Sequence, residues 1–374
     1  MTPPASDVQS SRTVEGVPAP GTLEQTWRPG ESEIFADADV QARPAVDKEG
    51  LRRRRLLLSY VVTVFLLVTL NFFLPRALPG DPISALIEPG GRSYVHDDAL
   101  RAELESYYGL DRPLAAQYRT YLANLAQGDL GTSIRHERPV SQLVEERLPW
   151  TGLLVVSAMG VAMAVGWLAG IHSGWRRGQR VDRGLLALCS LIDGFPVFFV
   201  GSLALLIFAV KLRWFPLAGA STPFSGSTSL PTRVADVAHH LVLPAVVMGL
   251  HFAASEYRLL RGSMVAELGS DYLVLGRAKG LRERRLKYRY TARNALLPVV
   301  SQTAVHFAFA LTWATVLVEA VFAYRGMGGL TAESVAFRDY PALQGCFLVL
   351  SLVVVSANFV ADVLYRRLDP RTAS

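Results

Sequence analysis

Long apolar segments, separated by shorter charged segments, recur along most of this chain. Each is close to the length needed to cross a bilayer, for which about twenty apolar residues suffice. The predicted spans cover residues 56–74, 152–171, 185–210, 241–257, 299–322 and 345–365, and the fourth continues into a basic segment. Gly194 and Pro196 interrupt the third span. The pattern predicts an all-α integral membrane protein with six transmembrane helices.

Basic clusters adjoin these segments in a regular order, before the first span, after the second, between the fourth and fifth, and after the sixth. They lie at residues 52–55, 176–183, 258–297 and 366–371. Because positive clusters are retained in the cytoplasm, both termini are predicted to be cytoplasmic. Residues 76–150 then form a long extracytoplasmic loop after the first span. Glycine stops in this loop predict short helices, one ending before Gly109 and one running through Tyr118 to Ala126 before Gly128.

The chain divides into four predicted regions. Residues 1–50 are rich in Pro, Ser, Thr, Ala and acidic residues and have no apolar period, which predicts a disordered cytoplasmic tail. The first transmembrane helix occupies 51–75 and the extracytoplasmic loop 76–150. A transmembrane core at 151–370 includes a cytoplasmic loop at 258–297.

Composition narrows the classes of partner and cofactor. The 374 residues are 51% hydrophobic, with a mean hydropathy of +0.26 and a formal net charge of +6. Such a charge can indicate nucleic-acid binding, but here the basic residues adjoin apolar spans, where topology explains them. No nucleic-acid partner is therefore predicted. Cys189 and Cys346 lie in apolar segments, which favours free buried thiols over a disulfide or a metal pair, and no metal or other cofactor is predicted.

The segment at 256–298 has the most distinctive pattern, with ten basic residues against four acidic ones. A helical run from Met264 to Lys279 is predicted to end at Gly280, because glycine tolerates the left-handed conformation that terminates helices. Tyr272, Leu275 and Lys279 are three and four residues apart, so they are predicted to share one helical face. The pattern indicates a short helix presented to the cytoplasm.

Four strings in this segment stand in a characteristic order: RxxRxSM at 258–264, DY at 271–272, RAKGL at 277–281 and RNALLP at 293–298. Together they resemble the EAA loop of bacterial ABC-transporter permeases, in the branch of the dipeptide, oligopeptide and nickel importers. Further strings, PGDP at 79–82, GLDRPLAAQY at 109–118, GDLGTS at 128–133 and ERLPWT at 146–151, resemble the same branch. The resemblance covers roughly residues 56–371. The chain departs from it at Gly276, Tyr290 and Arg325, where the family often has alanine, histidine and proline.

The resemblance implies a permease subunit of an ATP-driven importer that moves di- or oligopeptides across the bacterial cytoplasmic membrane by alternating access. It implies a homologous second permease subunit, two ABC ATPase subunits, an extracytoplasmic solute-binding protein and membrane lipid as partners. With the helix and its glycine stop, it favours a coupling helix over a loop that only sets topology. The residues assigned to coupling are Asp271, Tyr272, Leu275, Gly276, Arg277, Ala278, Lys279, Gly280 and Leu281. No catalytic residue is predicted, because none of the four lysines lies in the GK[ST] of a P-loop.

Acidic residues within or at the edges of the predicted spans leave a second class of transporter possible. Asp193, Glu319 and Asp362 are candidates for the transport pathway, since ionisable groups there usually face a bundle interior or an aqueous path. A position near a span end, or hydrogen bonding between helices, is favoured over a pathway role for His251 and His306, and the choice stays open for Glu319. A self-contained, ion-coupled secondary transporter would need such groups, but the inverted repeats of many secondary transporters are not evident.

Overall fold

The computed structural model describes residues 48–77, 111–223 and 229–368, together with the isolated helical positions 102 and 106. Within these ranges the side chains of 48–56, 74–77 and 361–368 are not described. Most of the predicted tail at 1–50 lies outside the described residues, as does the predicted loop helix ending before Gly109. The described residues from Leu56 onward belong to one compact unit.

The described residues form ten helices joined by turns and loops. They are α1 (Lys48–Ala77), α2 (Leu114–Ala126), α3 (Val140–Trp175), α4 (Arg180–Asp193), α5 (Val197–Lys211), α6 (Leu230–Glu267), α7 (Asp271–Ala278), α8 (Glu283–Val321), α9 (Met327–Ala336) and α10 (Tyr340–Leu368). One π-helical stretch, Leu205–Lys211, ends α5, and two, Leu286–Thr291 and Ala310–Ala314, interrupt α8. The all-α prediction is confirmed for the described residues, in which the β-structure is one isolated bridge between Thr132 and Pro139.

Four helices of the described chain are long and apolar enough to cross a membrane: Val140–Trp175, Leu230–Glu267, Glu283–Val321 and Tyr340–Val360. The pair Arg180–Asp193 and Val197–Lys211 makes a fifth span if the two halves count as one. Helix α1 contributes a shorter apolar stretch, Leu57–Phe73. Length and composition thus give four or five spans, and the six predicted from the sequence stay a prediction.

The third predicted span is broken where the sequence indicated. Helices α4 and α5 meet at 97°, with Gly194 after the end of α4 and Pro196 before the start of α5. Proline cannot donate a backbone hydrogen bond and fixes φ, so it starts a helix far more readily than it continues one. The bend places Asp193 at the corner.

Several helices extend beyond the apolar segments that predicted them. Helix α3 begins at Val140, so residues 140–150, predicted as part of the extracytoplasmic loop, are helical. The helix is longer than the predicted apolar span because backbone hydrogen bonding continues past the point where hydropathy falls, and the boundary between loop and span stays a prediction. A helix is present at Leu114–Ala126, where the sequence predicted one, and Gly128 follows it in the left-handed region at φ 77°.

Helix α3 packs along α6, and the two form the centre of the bundle. Leu154, Met248 and Leu311, from α3, α6 and α8, are fully buried in one apolar cluster. Close approach depends on glycine: a Cβ at Gly166 would lie 2.8 Å from the backbone oxygen of Ala253, and one at Gly249 would lie 2.7 Å from that of Ala158. Small residues at such contacts let helix backbones approach within a membrane.

This contact gives a first prediction. Gly166→Val should lower the unfolding midpoint of the purified protein, because overpacking a well-filled site costs about 1–3 kcal/mol. Gly160→Val is the matched control on the same helix, since a Cβ there meets nothing within 4 Å. Equal midpoints for the two variants in a thermal unfolding assay would contradict the packing of α3 on α6.

The apolar α1 stretch also packs into the bundle. Val68 and Phe72 are buried, and the Phe72 ring contacts Tyr118 of α2 edge-on at 5.1 Å between centroids. Asn71 Nδ2 donates to the backbone oxygen of Gln344 in α10 at 3.0 Å. The opposite face of α1, including Leu58 and Phe65, is exposed. One buried and one exposed apolar face are typical of a membrane helix at the edge of a helix bundle.

Candidate functional site

Helix α7 lies between the ends of two candidate spans and is shorter than predicted. The sequence predicted one helical run from Met264 to Lys279, and this was wrong: α6 ends at Glu267 and α7 begins at Asp271. Ser270 precedes α7 in an extended conformation, φ −75° and ψ 140°. Serine is favoured before a helix start, and Asp271 in the first turn interacts favourably with the helix dipole. The chain therefore turns between the span and α7.

The C-terminal end of α7 follows the prediction. Gly280 has φ 72°, in the left-handed region. The amide of Leu281 donates to the oxygen of Gly276 at 3.1 Å, and the amide of Gly280 donates to that of Arg277 at 2.9 Å. These two bonds form a Schellman motif, which satisfies the last carbonyls of a helix and reverses the chain. The chain is thereby directed from α7 into α8.

Two contacts hold α7 against the membrane helices. Leu273 is fully buried and Gly276 is buried beside it; a Cβ at Gly276 would lie 2.6 Å from Leu286 Cδ2. Glycine, where the family often has alanine, thus lets Leu286 at the start of α8 approach α7. On the other side, the half-buried Tyr272 donates its hydroxyl hydrogen bond to Glu267 Oε2. Burial raises the pKa of Tyr272, and the Glu267 bond raises it further, so the donor keeps its proton.

The outer side of α7 is apolar and exposed. Val274 is 65% exposed and Leu275 55% exposed, and Ala278 lies one turn beyond Val274. We call these three residues the apolar face of α7. Of the face predicted from the sequence, Leu275 and Lys279 are exposed, whereas Tyr272 is half-buried against Glu267. Sequence reasoning missed Val274, although an apolar residue four positions before Ala278 was a usable signal.

Polar contacts near the end of α6, the helix that precedes α7, tie α6 to the α3–α4 turn. Arg261 donates from Nε to Asp182 Oδ1 at 2.6 Å and from Nη2 to Oδ2 at 2.8 Å. Asp182 is 1% exposed and also accepts from the Gly178 amide at 2.8 Å and from the Ser173 hydroxyl. Ser173 in turn lies 2.8 Å from the hydroxyl of Tyr257 on α6. A buried carboxylate with four donors makes this a rigid junction between α3, α4 and α6.

The three pathway candidates have different surroundings. Asp193 Oδ2 lies 3.0 Å from Nη2 of Arg258 at the bend between α4 and α5, and both side chains are about two-fifths exposed, at 42% and 38%. Asp362 belongs to α10, and its side chain is not among those described. Glu319 is 1% exposed within α8. The structure places Asp193 and Glu319 in separate contact networks.

Glu319 holds the turn between α8 and α9. Its Oε1 accepts from the Thr151 hydroxyl at 2.7 Å, and its Oε2 accepts from the Gly329 amide at 2.9 Å. Thr151 Oγ1 accepts from the Met327 amide at 2.7 Å. Gly326 lies so close that any Cβ there would collide with the carboxylate. In this structure the Glu319 carboxylate is satisfied by neighbouring helix and turn donors.

Glu256 is a third buried carboxylate, and it joins three of the central helices. Glu256 accepts from Trp167 Nε1 at 3.0 Å and from Thr303 Oγ1 at 2.9 Å, and its Oε1 lies 2.8 Å from Nδ1 of His306. These residues come from α6, α3 and α8. The interhelical role favoured for His306 is therefore observed. His251 is different, because its Nδ1 is buried without a hydrogen-bond partner among the described residues.

No metal centre is found in the part of the chain that the structure describes, where no three His, Cys, Asp or Glu residues are placed to hold an ion. Cys189 and Cys346 are free and buried. Of the features present, α7 is the candidate functional site, because it alone combines anchored ends with an exposed apolar face between two spans.

Comparison with known proteins places this geometry in a family. Residues 162–374 match the family described as binding-protein-dependent transport system inner membrane component. A protein of Brucella suis named as a peptide permease is 37% identical over 84% of this chain and 94% of its own length. The oligopeptide transport system permease protein AppB of Bacillus subtilis is 33% identical over 85% of this chain and 97% of its own.

A third relative and one solved structure are also similar to this chain. The glutathione transport system permease protein GsiC of Pectobacterium atrosepticum is 36% identical, covering 84% of this chain and 96% of its own. A chain from the inward-facing MetNI methionine ABC transporter is 14% identical, with a TM-score of 0.49, covering 61% of this chain and 97% of its own. Because the family model matches residues 162–374 and the three relatives are similar over most of the chain, the chain belongs to the family of inner-membrane components of binding-protein-dependent transport systems.

Proposed function

We propose that this chain is the membrane-spanning permease subunit of an ATP-driven importer of di- or oligopeptides, and that α7 couples it to separate ATPase subunits. The observation that carries the proposal is the apolar face of α7, held outward by the Schellman turn on one side and the Tyr272–Glu267 bond on the other. A surface helix with an exposed apolar side is completed by a partner groove. The relatives named for peptides, oligopeptides and glutathione support the substrate class.

The coupling surface takes in the residues assigned from the sequence. Leu275, Arg277, Ala278 and Lys279 are exposed and would touch the ATPase, together with Val274. Gly276, Gly280 and Leu281 hold the helix end in place, and Asp271 and Tyr272 hold its start. ATP-driven closure of the ATPases would move α7, and the Arg261–Asp182 junction would pass that displacement to α3 and α4.

The remaining partners follow from the same proposal. A homologous second permease subunit would complete the pathway, two ABC ATPase subunits would bind on the cytoplasmic side, and a solute-binding protein would deliver peptide from outside. Asp193, Glu319 and Asp362 are proposed pathway residues. Asp193 is supported by its exposure at the bend, whereas the bonded position of Glu319 supports a role in holding the α8–α9 turn.

The energy source for uptake, ATP or an ion gradient, distinguishes this proposal from an ion-coupled secondary transporter. Proteoliposomes containing the complex co-purified through this chain should accumulate labelled peptide only with ATP on the cytoplasmic side and binding protein on the other. Collapsing ion gradients with an ionophore should leave initial uptake unchanged. Uptake by this chain without ATPase subunits, driven by an ion gradient, would establish the secondary transporter instead.

The proposed orientation has six spans, with the first at 56–74, both termini in the cytoplasm and α7 on the cytoplasmic side. Single cysteines replacing Arg282 and Ser229, both exposed, test it in a background lacking Cys189 and Cys346. A membrane-impermeant thiol reagent added to spheroplasts should label only position 229. Labelling at 282 before lysis would invert the orientation and remove α7 from the ATPase side.

A further inference from the structure

A basic cavity lies where the end of α3 meets the start of α8. It has a volume of about 400 Å³ and is lined by Lys287, Arg284, Arg176, His172, Trp175 and Tyr288. A second cavity of about 420 Å³ shares Arg284 and Tyr288 and adds Arg282, Arg285 and Arg289. Basic side chains therefore line two neighbouring cavities at this end of the bundle.

Lys287 is unusual because it is charged and buried. The residue is only 7% exposed, and its ammonium lies 3.3 Å from Nδ1 of His172 and 4.8 Å from the centre of the Tyr288 ring. Among the described residues, no carboxylate lies within ion-pairing distance of it. Glu283 also lines the cavity, but its carboxylate faces Nε of Arg277 at 3.3 Å. A buried cation without a counterion is costly, so this cavity favours an anionic ligand.

The surroundings indicate a ligand with an apolar part. Trp175 and Tyr288 are residue types enriched at membrane interfaces. Along α3, Val165 is 44% exposed and Leu168 64% exposed. The positions 165, 168, 172 and 175 follow one another at steps of three, four and three residues. Residues at this spacing share one side of a helix. An exposed apolar stripe thus leads along α3 into the basic cavity.

We propose that the basic cavity binds the phosphate group of an anionic phospholipid, with an acyl chain along the Val165–Leu168 stripe. Arg284 and Arg176 offer guanidinium donors that match phosphate oxygens, and Lys287 supplies the buried charge. The bound lipid would brace the start of α8, which follows directly from α7. The inference rests on the proposed orientation for the choice of leaflet, but its test is independent of transport.

Thermal unfolding of the purified full-length protein in neutral detergent tests the lipid site. The probes are short-chain phosphatidylglycerol, short-chain phosphatidylcholine and inorganic phosphate at equal concentrations. Phosphatidylglycerol should raise the unfolding midpoint of the wild type saturably, as expected of a ligand that binds only the folded state. Phosphatidylcholine, whose headgroup charge is compensated, and inorganic phosphate, which has no acyl chain, should have much smaller effects.

Two variants locate the effect. Lys287→Met and Arg284→Gln should each weaken the apparent affinity for phosphatidylglycerol about tenfold or more, the usual loss for one charged contact. Lys211→Gln, an exposed cation at the end of α5, should leave it unchanged. Because Arg284 is exposed, Arg284→Gln decides the matter if Lys287→Met does not fold. Unchanged affinity in that variant would overturn the site, and equal stabilisation by inorganic phosphate would overturn the lipid assignment.

Discussion

Leu275→Asp is expected to abolish peptide-stimulated ATP hydrolysis and uptake while the permease remains inserted and folded. Leu275 is 55% exposed on the apolar face of α7, so an aspartate costs the isolated chain little. In the proposed complex the same carboxylate would lie in an apolar groove, where an unpaired charge costs several kcal/mol. Because about 1.4 kcal/mol corresponds to tenfold in an equilibrium constant, ATPase binding should fall by about two orders of magnitude or more. Pull-down of the ATPase subunits and steady-state hydrolysis measure the two effects.

Val335→Asp is the matched control for this prediction. Val335 is 57% exposed on α9, so the introduced charge and the starting exposure are nearly the same. In the proposed orientation α9 faces away from the ATPases, and their binding should be unchanged. Normal ATPase binding by Leu275→Asp at normal membrane abundance would return α7 to a loop that only sets topology.

Arg261→Ala should be among the most destabilising single substitutions at the end of the bundle next to α7. Removing the guanidinium leaves the Asp182 carboxylate, 1% exposed, without its bidentate partner. Breaking a buried pair from one side costs about 3–5 kcal/mol, because an uncompensated charge remains inside. The unfolding midpoint in detergent should fall by several degrees. The ATPase response to peptide should fall with it, since α6, which leads into α7, loses its connection to α3 and α4.

Arg258→Ala, one turn earlier on α6, is the control. Its pair with Asp193 is 38% and 42% exposed, and exposed pairs contribute about 0–1 kcal/mol. The double variant Asp182→Asn/Arg261→Ala should recover part of the loss, because it removes the orphaned charge. If Arg258→Ala and Arg261→Ala shifted the midpoint equally, the buried junction would carry no special stability.

Local signals predicted the turns of this protein well. Gly280 has no Cβ to oppose a positive φ, and it ends α7 at φ 72°. Pro196 lacks an amide hydrogen, and the chain bends there by 97°. Both outcomes depend on a few consecutive residues, which is the range over which sequence alone carries information about backbone geometry.

Features that depend on contacts between residues far apart in the sequence could not be predicted from local sequence signals. Asp182 and Arg261 are 79 positions apart, and each resembled an ordinary charged residue of a loop or helix end. Glycine is needed at position 276 because the Leu286 side chain packs against it. Leu286 comes into this contact because the Schellman turn reverses the chain. Glu319 stays a proposed pathway residue, but its partners, Thr151 and the Gly329 amide, could not be predicted from the sequence. Packing between helices decides these roles, and hydropathy does not encode it.

A photo-crosslinking residue at position 275 of α7 tests the central claim most directly. The substituted permease would be expressed with its neighbouring subunits in native membranes, irradiated, purified and analysed by mass spectrometry, with the same residue at 335 as control. Coupling through α7 predicts an adduct between position 275 and an ABC ATPase subunit, and none from position 335. Adducts from position 275 to lipid or to the permease itself, with the ATPase present in the same membranes but uncrosslinked, would contradict it.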